Sequence, residues 1–237
     1  MAGAPLAGAA AAVKRFYREV TAEDGEIRLD GRPVRTPAGH PLRLPGDRLA
    51  QAVAEEWRAQ GERVDPRSMP ITGLANAAID RVAPDKEAFA TGLARYGDSD
   101  LLCYRAEGPA GLVERQAGLW DPLLAWARRR YDIDFEIVRG VIPRAQNAVT
   151  LDRLARAVHA RSPFELAGLS PLVTLSGSLV VGLAVAEGAA GVDQAWSAAA
   201  LDEQWQAEQW GEDADAAKAL EARRGDFAAA ARFLLLL

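Results

Sequence analysis

The sequence predicts an α+β protein, with a small N-terminal antiparallel β part followed by a larger, mainly α-helical part. Three observations carry that expectation. Residues 26–45, EIRLDGRPVRTPAGHPLRLP, crowd strand and turn signals together. From Gly46 the apolar period changes to that of a helix, and beyond Thr150 the chain reads as helix with short interruptions. Strands that precede a run of helices are the α+β order. The 237 residues, 49% hydrophobic and 26% charged, have an ordinary globular composition, enough for one large domain or two small ones.

Taken in order, an Ala-rich lead runs into a short element at residues 13–20. Ile27 and Leu29 alternate with charge, and Asp30-Gly31 can supply the positive φ angles of a tight hairpin turn. Pro37, Gly39 and Pro41 mark a second reversal, so a small meander with open edges is expected. Asp47 is the expected N-cap of the first helix, on which Leu49, Val53 and Trp57 fall at i, i+4, i+8 as a core stripe. A second helix is expected from Thr72 to Val82 and a third from Pro84 to Tyr96. Strands are expected at 100–105 and in DFEIVRG, with a helix between them that turns Trp120 into the core. The last stretch breaks at Ser162-Pro163, Gly168–Pro171, Gly188–Gly191 and Gly211. The implied division is 1–45, a flexible N-terminus with the meander; 46–145, mixed helix and strand; and 146–237, helical.

Several function classes lose ground. A net charge of −5, 28 Lys+Arg against 33 Asp+Glu, argues against nucleic acid as a partner. No apolar run approaches the roughly 20 residues that span a bilayer, so no membrane insertion is expected. P-loop and dinucleotide glycine motifs are absent, so no nucleotide or other cofactor is expected. With only His40 and His159, and Cys103 alone, the common zinc patterns fail, no metal is expected, and an internal disulfide is excluded. Ser176 and Ser178 in LSGSLVVG do not form G-x-S-x-G. Asp98 and Asp100 are spaced as a carboxylate pair, which leaves a metal-independent hydrolase or lyase as one alternative and a generic interaction scaffold as another. The opening residues have neither the order of a secretory signal nor the composition of a mitochondrial transit peptide.

One stretch is unusual, LDEQWQAEQWGED at 201–213. On a continuous helix from Val192, the residues Trp196, Ala200, Glu203, Ala207 and Trp210 form a single stripe with a carboxylate at its middle. Leu201, Trp205 and Glu208 form a neighbouring face. Glu203 has three open roles: pairing internally, binding a partner's N–H or cation, or serving as an acid with a raised pKa. Tryptophan is enriched at interface hot spots.

Six ordered blocks carry a resemblance across most of the chain. They are LDGRPVRTPAG at 29–39, LAQAVAEEWRAQ at 49–60, MPITGLANAAID at 69–80, YGDSDLLCYRA at 96–106, QAGLWDPLLAW at 116–126 and DEQWQAEQWG at 202–211. Together they resemble the Atp12 family, assembly chaperones of the F1 part of ATP synthase. The resemblance implies an ATP-independent, non-catalytic protein that binds the free F1 α subunit and shields it from aggregation before it meets β. It implies a functional acid in the closing helical region, to which Glu203 is the best match, with Glu208 and Glu212 close by. Trp196 and Trp210 flank that acid as the expected partner-binding aromatics. A bacterial, cytoplasmic setting is implied, with relatives in mitochondria.

Overall fold

Two tight turns build the N-terminal sheet. Strands β2 (Val20–Glu23), β3 (Glu26–Leu29) and β4 (Arg32–Pro33) pair antiparallel in chain order, after β1 (Val13–Lys14). Asp24-Gly25 and Asp30-Gly31 both hold positive φ, the geometry that lets a two-residue turn follow the strand twist. Gly25 is required twice over, since a Cβ there would stand 2.5 Å from the Leu44 carbonyl oxygen. The Asp30 carboxylate accepts the backbone N–H groups of Arg18 and Glu19, locking the incoming chain onto the turn. The computed structural model describes residues 13–140, 144–211 and 213–237.

Helix α1 (Asp47–Arg58) lies against this sheet and buries Leu49 and Val53. Its N-cap is Gly46 rather than Asp47, which is the first helical residue and places its charge at the positive end of the helix. Strand β5 (Arg63–Val64) returns to pair antiparallel with β1, a long-range pairing with no local signal. Helix α2 (Pro70–Ala77) begins two residues before the expected Thr72, because Pro70 suits a first helical position, and Ala78–Val82 continues it as a π-helical turn. A 3₁₀ turn then leads into α3 (Lys86–Ala94).

The two expected later strands are much shorter than their apolar runs suggest. Leu101–Cys103 is a 3₁₀ turn, and only β6 (Tyr104–Arg105) and β7 (Val138–Arg139) pair, in parallel. Between them runs α4 (Ala110–Tyr131). The helices that follow are α5 (Ala148–His159), α6 (Pro163–Ser176), α7 (Leu179–Ala186), α8 (Val192–Ala199), α9 (Leu201–Trp210) and α10 (Ala214–Leu235). No break occurs at Gly168–Pro171, where α6 runs through. Gly168 is there because Leu234 of α10 lies against it, 2.7 Å from where a Cβ would be. The real break falls at Gly177 (φ 66°), and Ser178 caps α7.

Two apolar clusters form the core. One joins the sheet to α1 and α2 through Ile27, Leu42, Leu49, Val53 and Ile71. The other surrounds α7 with Trp120, Leu124, Leu154, Leu166 and Phe227. Helix α10 reaches both, since its Phe233 sits in the first cluster and its Phe227 in the second.

Candidate functional site

The stripe expected to run unbroken from Val192 to Trp210 is divided in two. Ala200 (φ −94°, ψ 5°) ends α8 and starts α9, so residues on either side of it do not share one helical face. Trp196 therefore turns inward, 5% exposed, with its ring 5.4 Å from that of Phe227 on α10. Trp210, at the far end of α9, is 79% exposed. The structure does not bring these two tryptophans together on a surface.

Helix α9 is held on both flanks by its acids. Both oxygens of Glu203 accept from the guanidinium of Arg223 on α10, and the Glu203 side chain keeps 53% of its surface in solvent. Both oxygens of Glu208 accept from Arg115 on α4, at 2.9 and 2.7 Å. The Arg115 guanidinium also stacks 4.8 Å over the ring of Trp205. That ring lies on Gly111, where a Cβ would meet it at 2.9 Å, so a glycine in α4 makes room for the indole. Asp202 accepts from the buried Gln116 side chain at 2.9 Å. Besides Glu203 and Glu208, the residues Gln204, Gln206, Gln209 and Trp210 are exposed along α9. Gly211 (φ 94°) then turns the chain towards α10. Glu212 lies outside the described residues. Arg115, Gln116 and Arg223 were not legible as site residues, because each meets α9 from a distant part of the chain.

Other acids do interior work. Glu56 accepts the N–H groups of Ile71 and Thr72 at 2.8 and 2.7 Å, and so caps α2 from α1. Asp80 accepts from Thr36, Ala38 and His40, fastening the meander's second reversal to the π-helical turn. Burial opposes its ionisation, but the hydrogen bonds from His40, Thr36 and Ala38 prevail and hold it below the usual carboxylate range. Asp100 is fully buried and accepts from Ser178 Oγ at 2.7 Å, Val180 N–H at 2.9 Å and Leu102 N–H at 3.1 Å. Burial pushes its carboxyl up to about 6 while those donors pull it down. Its neighbour Asp98 accepts from the Gln146 N–H instead, so the two carboxylates serve separate structural contacts. The Cys103 thiol is pushed up to about 12, first by burial and then by the charge of Asp100, which makes it a poor nucleophile. His159 meets Glu87 at 2.6 Å and joins α5 to α3.

Among the expected core residues, Leu49, Val53 and Trp120 are buried, and the Trp120 Nε1–H donates to the Ala198 carbonyl at 2.8 Å. Trp57 is half-buried, edge-on to Tyr17 at 5.6 Å, with its Nε1 buried and without a hydrogen-bond partner. Among the described residues no group of three or more His, Cys, Asp or Glu could hold a metal ion, and no helix is long and apolar enough to cross a membrane.

Helix α9 is thus fixed at both edges by ion pairs and carries an exposed tryptophan at its tip. Known proteins define the class as chaperone: the family model for the ATP12 chaperone protein matches residues 14–128, a span that ends before α9. The crystal structure of Atp12 from Paracoccus denitrificans is 43% identical, with a TM-score of 0.90 over 94% of this chain and 98% of that one. A lysine-for-aspartate mutant of the Paracoccus protein matches with the same identity and TM-score over 94% of this chain and 97% of its own. Protein atp12, mitochondrial, of Schizosaccharomyces pombe is 28% identical over 219 residues, 86% of this chain and 75% of the relative. This chain belongs to the ATP12 chaperone family.

Proposed function

We propose that the chain is an ATP-independent assembly chaperone that binds the free α subunit of the F1 part of ATP synthase and keeps it from aggregating until it meets β. The binding face is α9, with Trp210 as the apolar contact and Glu203 as the polar anchor for a cation or N–H of the client. Glu208 borders the same face, and Glu212 follows it in the chain. Trp196 acts from behind, by packing α8 on α10. One observation carries the proposal: Trp210 stands 79% exposed at the end of a helix whose flanks are fixed, as a preorganised contact should be. An isolated subunit of an assembly exposes an apolar, partly charged interface, and a matching patch with few fixed polar groups suits it. Release to β favours moderate affinity. A bacterial cytoplasm is the proposed setting.

Light scattering tests the proposal. Purified α subunit diluted from denaturant should stay clear with an equimolar amount of this protein and no nucleotide. Unchanged aggregation in the presence of folded protein in excess would overturn it.

A further inference from the structure

Strands β6 and β7 place like charges side by side. In their parallel register Tyr104 lies opposite Val138 and Arg105 opposite Arg139. Like charges directly across a strand pair destabilise it unless something neutralises them. Asp121 on α4 does so for Arg105, at 2.6 Å, and Trp120 stacks on the same guanidinium at 5.2 Å. Arg105 is further fixed by donating from Nε to the Leu102 carbonyl. No carboxylate among the described residues lies within ion-pair distance of Arg139 or Arg144. These three arginines line one cavity of about 860 Å³ between the strand pair and α4. The remaining carboxylate in its wall, Glu107, rests against the backbone of Gly140, 3.0 Å from where a Cβ would stand.

We propose that this cavity is a second docking site, one that takes an extended acidic segment of a protein partner. Two arginines without counter-charges, in a chain of net charge −5, are an electrostatic match for carboxylates, which guanidinium groups bind in pairs of parallel hydrogen bonds. Val113 and the exposed Ile137 add apolar wall for the side chains between the acids. A site for a small free anion would instead gather backbone N–H groups around one point. One residue of the cavity wall, the buried Gln116, also bonds to α9. The Gln116 Oε1 accepts the Ala106 N–H at 2.9 Å, and its Nε2 donates to Asp202 of α9. Gln116 thus ties the wall of the basic recess to α9, and the inference rests on the proposed function only for which protein supplies the segment.

The test uses the full chain and a fluorescein-labelled peptide of alternating glutamate and leucine, read by fluorescence anisotropy. A lysine–leucine peptide of equal length, and inorganic phosphate or chloride at matched ionic strength, are the comparisons. The acidic peptide should bind and the basic one should not. Arg139→Glu and Arg144→Glu, both at exposed positions, should each weaken binding by about tenfold or more. Melting curves of the variants should match the parent. Binding by the acidic peptide should persist in Glu203→Lys, so failure on α9 and failure here are separate results. Absent binding, equal binding by the arginine variants, or displacement by phosphate but not by chloride would each overturn the proposal.

Discussion

Asp100 and Glu203 are both carboxylates with each oxygen occupied, yet they belong to different parts of the molecule and hold different things. Asp100 lies in the larger apolar cluster and satisfies donors that have no other partner, at the start of α7 and in the turn before β6. Glu203 lies on the surface and satisfies one arginine that water could satisfy equally well. Removing the first leaves buried polar groups stranded, and removing the second exposes a solvated cation. For these two acids, burial therefore separates one whose loss the fold cannot absorb from one whose loss it can.

The largest expected effect comes from the interior side. Asp100→Ala strands the Ser178 hydroxyl and the Val180 and Leu102 N–H groups, at about 1–3 kcal/mol each, so urea unfolding should show a loss of several kcal/mol. The same residue sets a pH dependence. Its folded pKa is raised from 3.8 to about 6, so between those values the native state holds more protons than the unfolded chain. The stability it contributes is complete below about pH 4 and is lost as pH rises through 6. Against Asp100→Asn, which does not titrate, the wild-type advantage should shrink by about 3 kcal/mol across that window. A flat difference would mean that the carboxyl stays ionised and that its donors outweigh burial.

The tryptophans repeat the contrast with smaller effects. Trp120→Ala empties a fully buried site and loses the bond to Ala198, with an expected cost of about 3–5 kcal/mol. Trp57→Ala should cost less, because the ring is half-buried and its Nε1 has no partner to lose. Trp210→Ala should leave stability within about 0.5 kcal/mol of the parent while weakening protection of the α subunit. Equal destabilisation by all three would erase the distinction between core and surface aromatics.

How far this contrast could be read from sequence follows the range of each signal. Local chemistry was legible: the Asp30-Gly31 turn, the stripe of α1 and the helical character after residue 150 depend on neighbours in the chain. Features fixed by distant contacts were not. Gly168 looks like a breaker until Leu234 is seen to occupy the space over it. The spacing of Val192 to Trp210 fits one helix, and nothing within it marks the turn at Ala200 that buries Trp196 and exposes Trp210. Within α9 the acids and tryptophans were visible as candidates, but their arginine partners lie 20 residues away for Glu203 and 93 for Glu208.

Asp80 falls between the extremes. It is mostly buried, yet it joins two surface segments, the reversal at residues 36–40 and the π-helical turn. Asp80→Asn retains the shape but loses the charge-assisted bonds, and about 1–2 kcal/mol is the expected loss by thermal unfolding. Since the carboxyl is held below its usual range, the stability it supplies is present above its unfolded pKa and disappears as pH falls through the lower folded value. Asp80→Asn should remove that acid-side dependence, in the direction opposite to Asp100.

The smallest stability effect and the largest functional one should meet at Glu203. An exposed ion pair contributes about 0.2–1 kcal/mol, so Glu203→Gln and Glu203→Lys should both melt close to the parent. If Glu203 anchors a cationic group of the client, the Gln form should lose part of the α-subunit protection and the Lys form more, through like-charge repulsion. Arg223 makes the test sharper. Its guanidinium occupies the same two oxygens that a client cation would need, so it competes for the anchor. Arg223→Ala should therefore leave folding intact and bind the α subunit as tightly as the parent or several-fold more tightly, measured by titration of labelled client. An interior acid behaves the other way, because losing a donor to Asp100 can only cost stability. If Arg223→Ala weakens client binding as much as Glu203→Gln does, the pair itself is the recognised feature, and Glu203 does not exchange partners. If Glu203→Lys protects the α subunit fully, the anchor passes to Glu208 or Glu212.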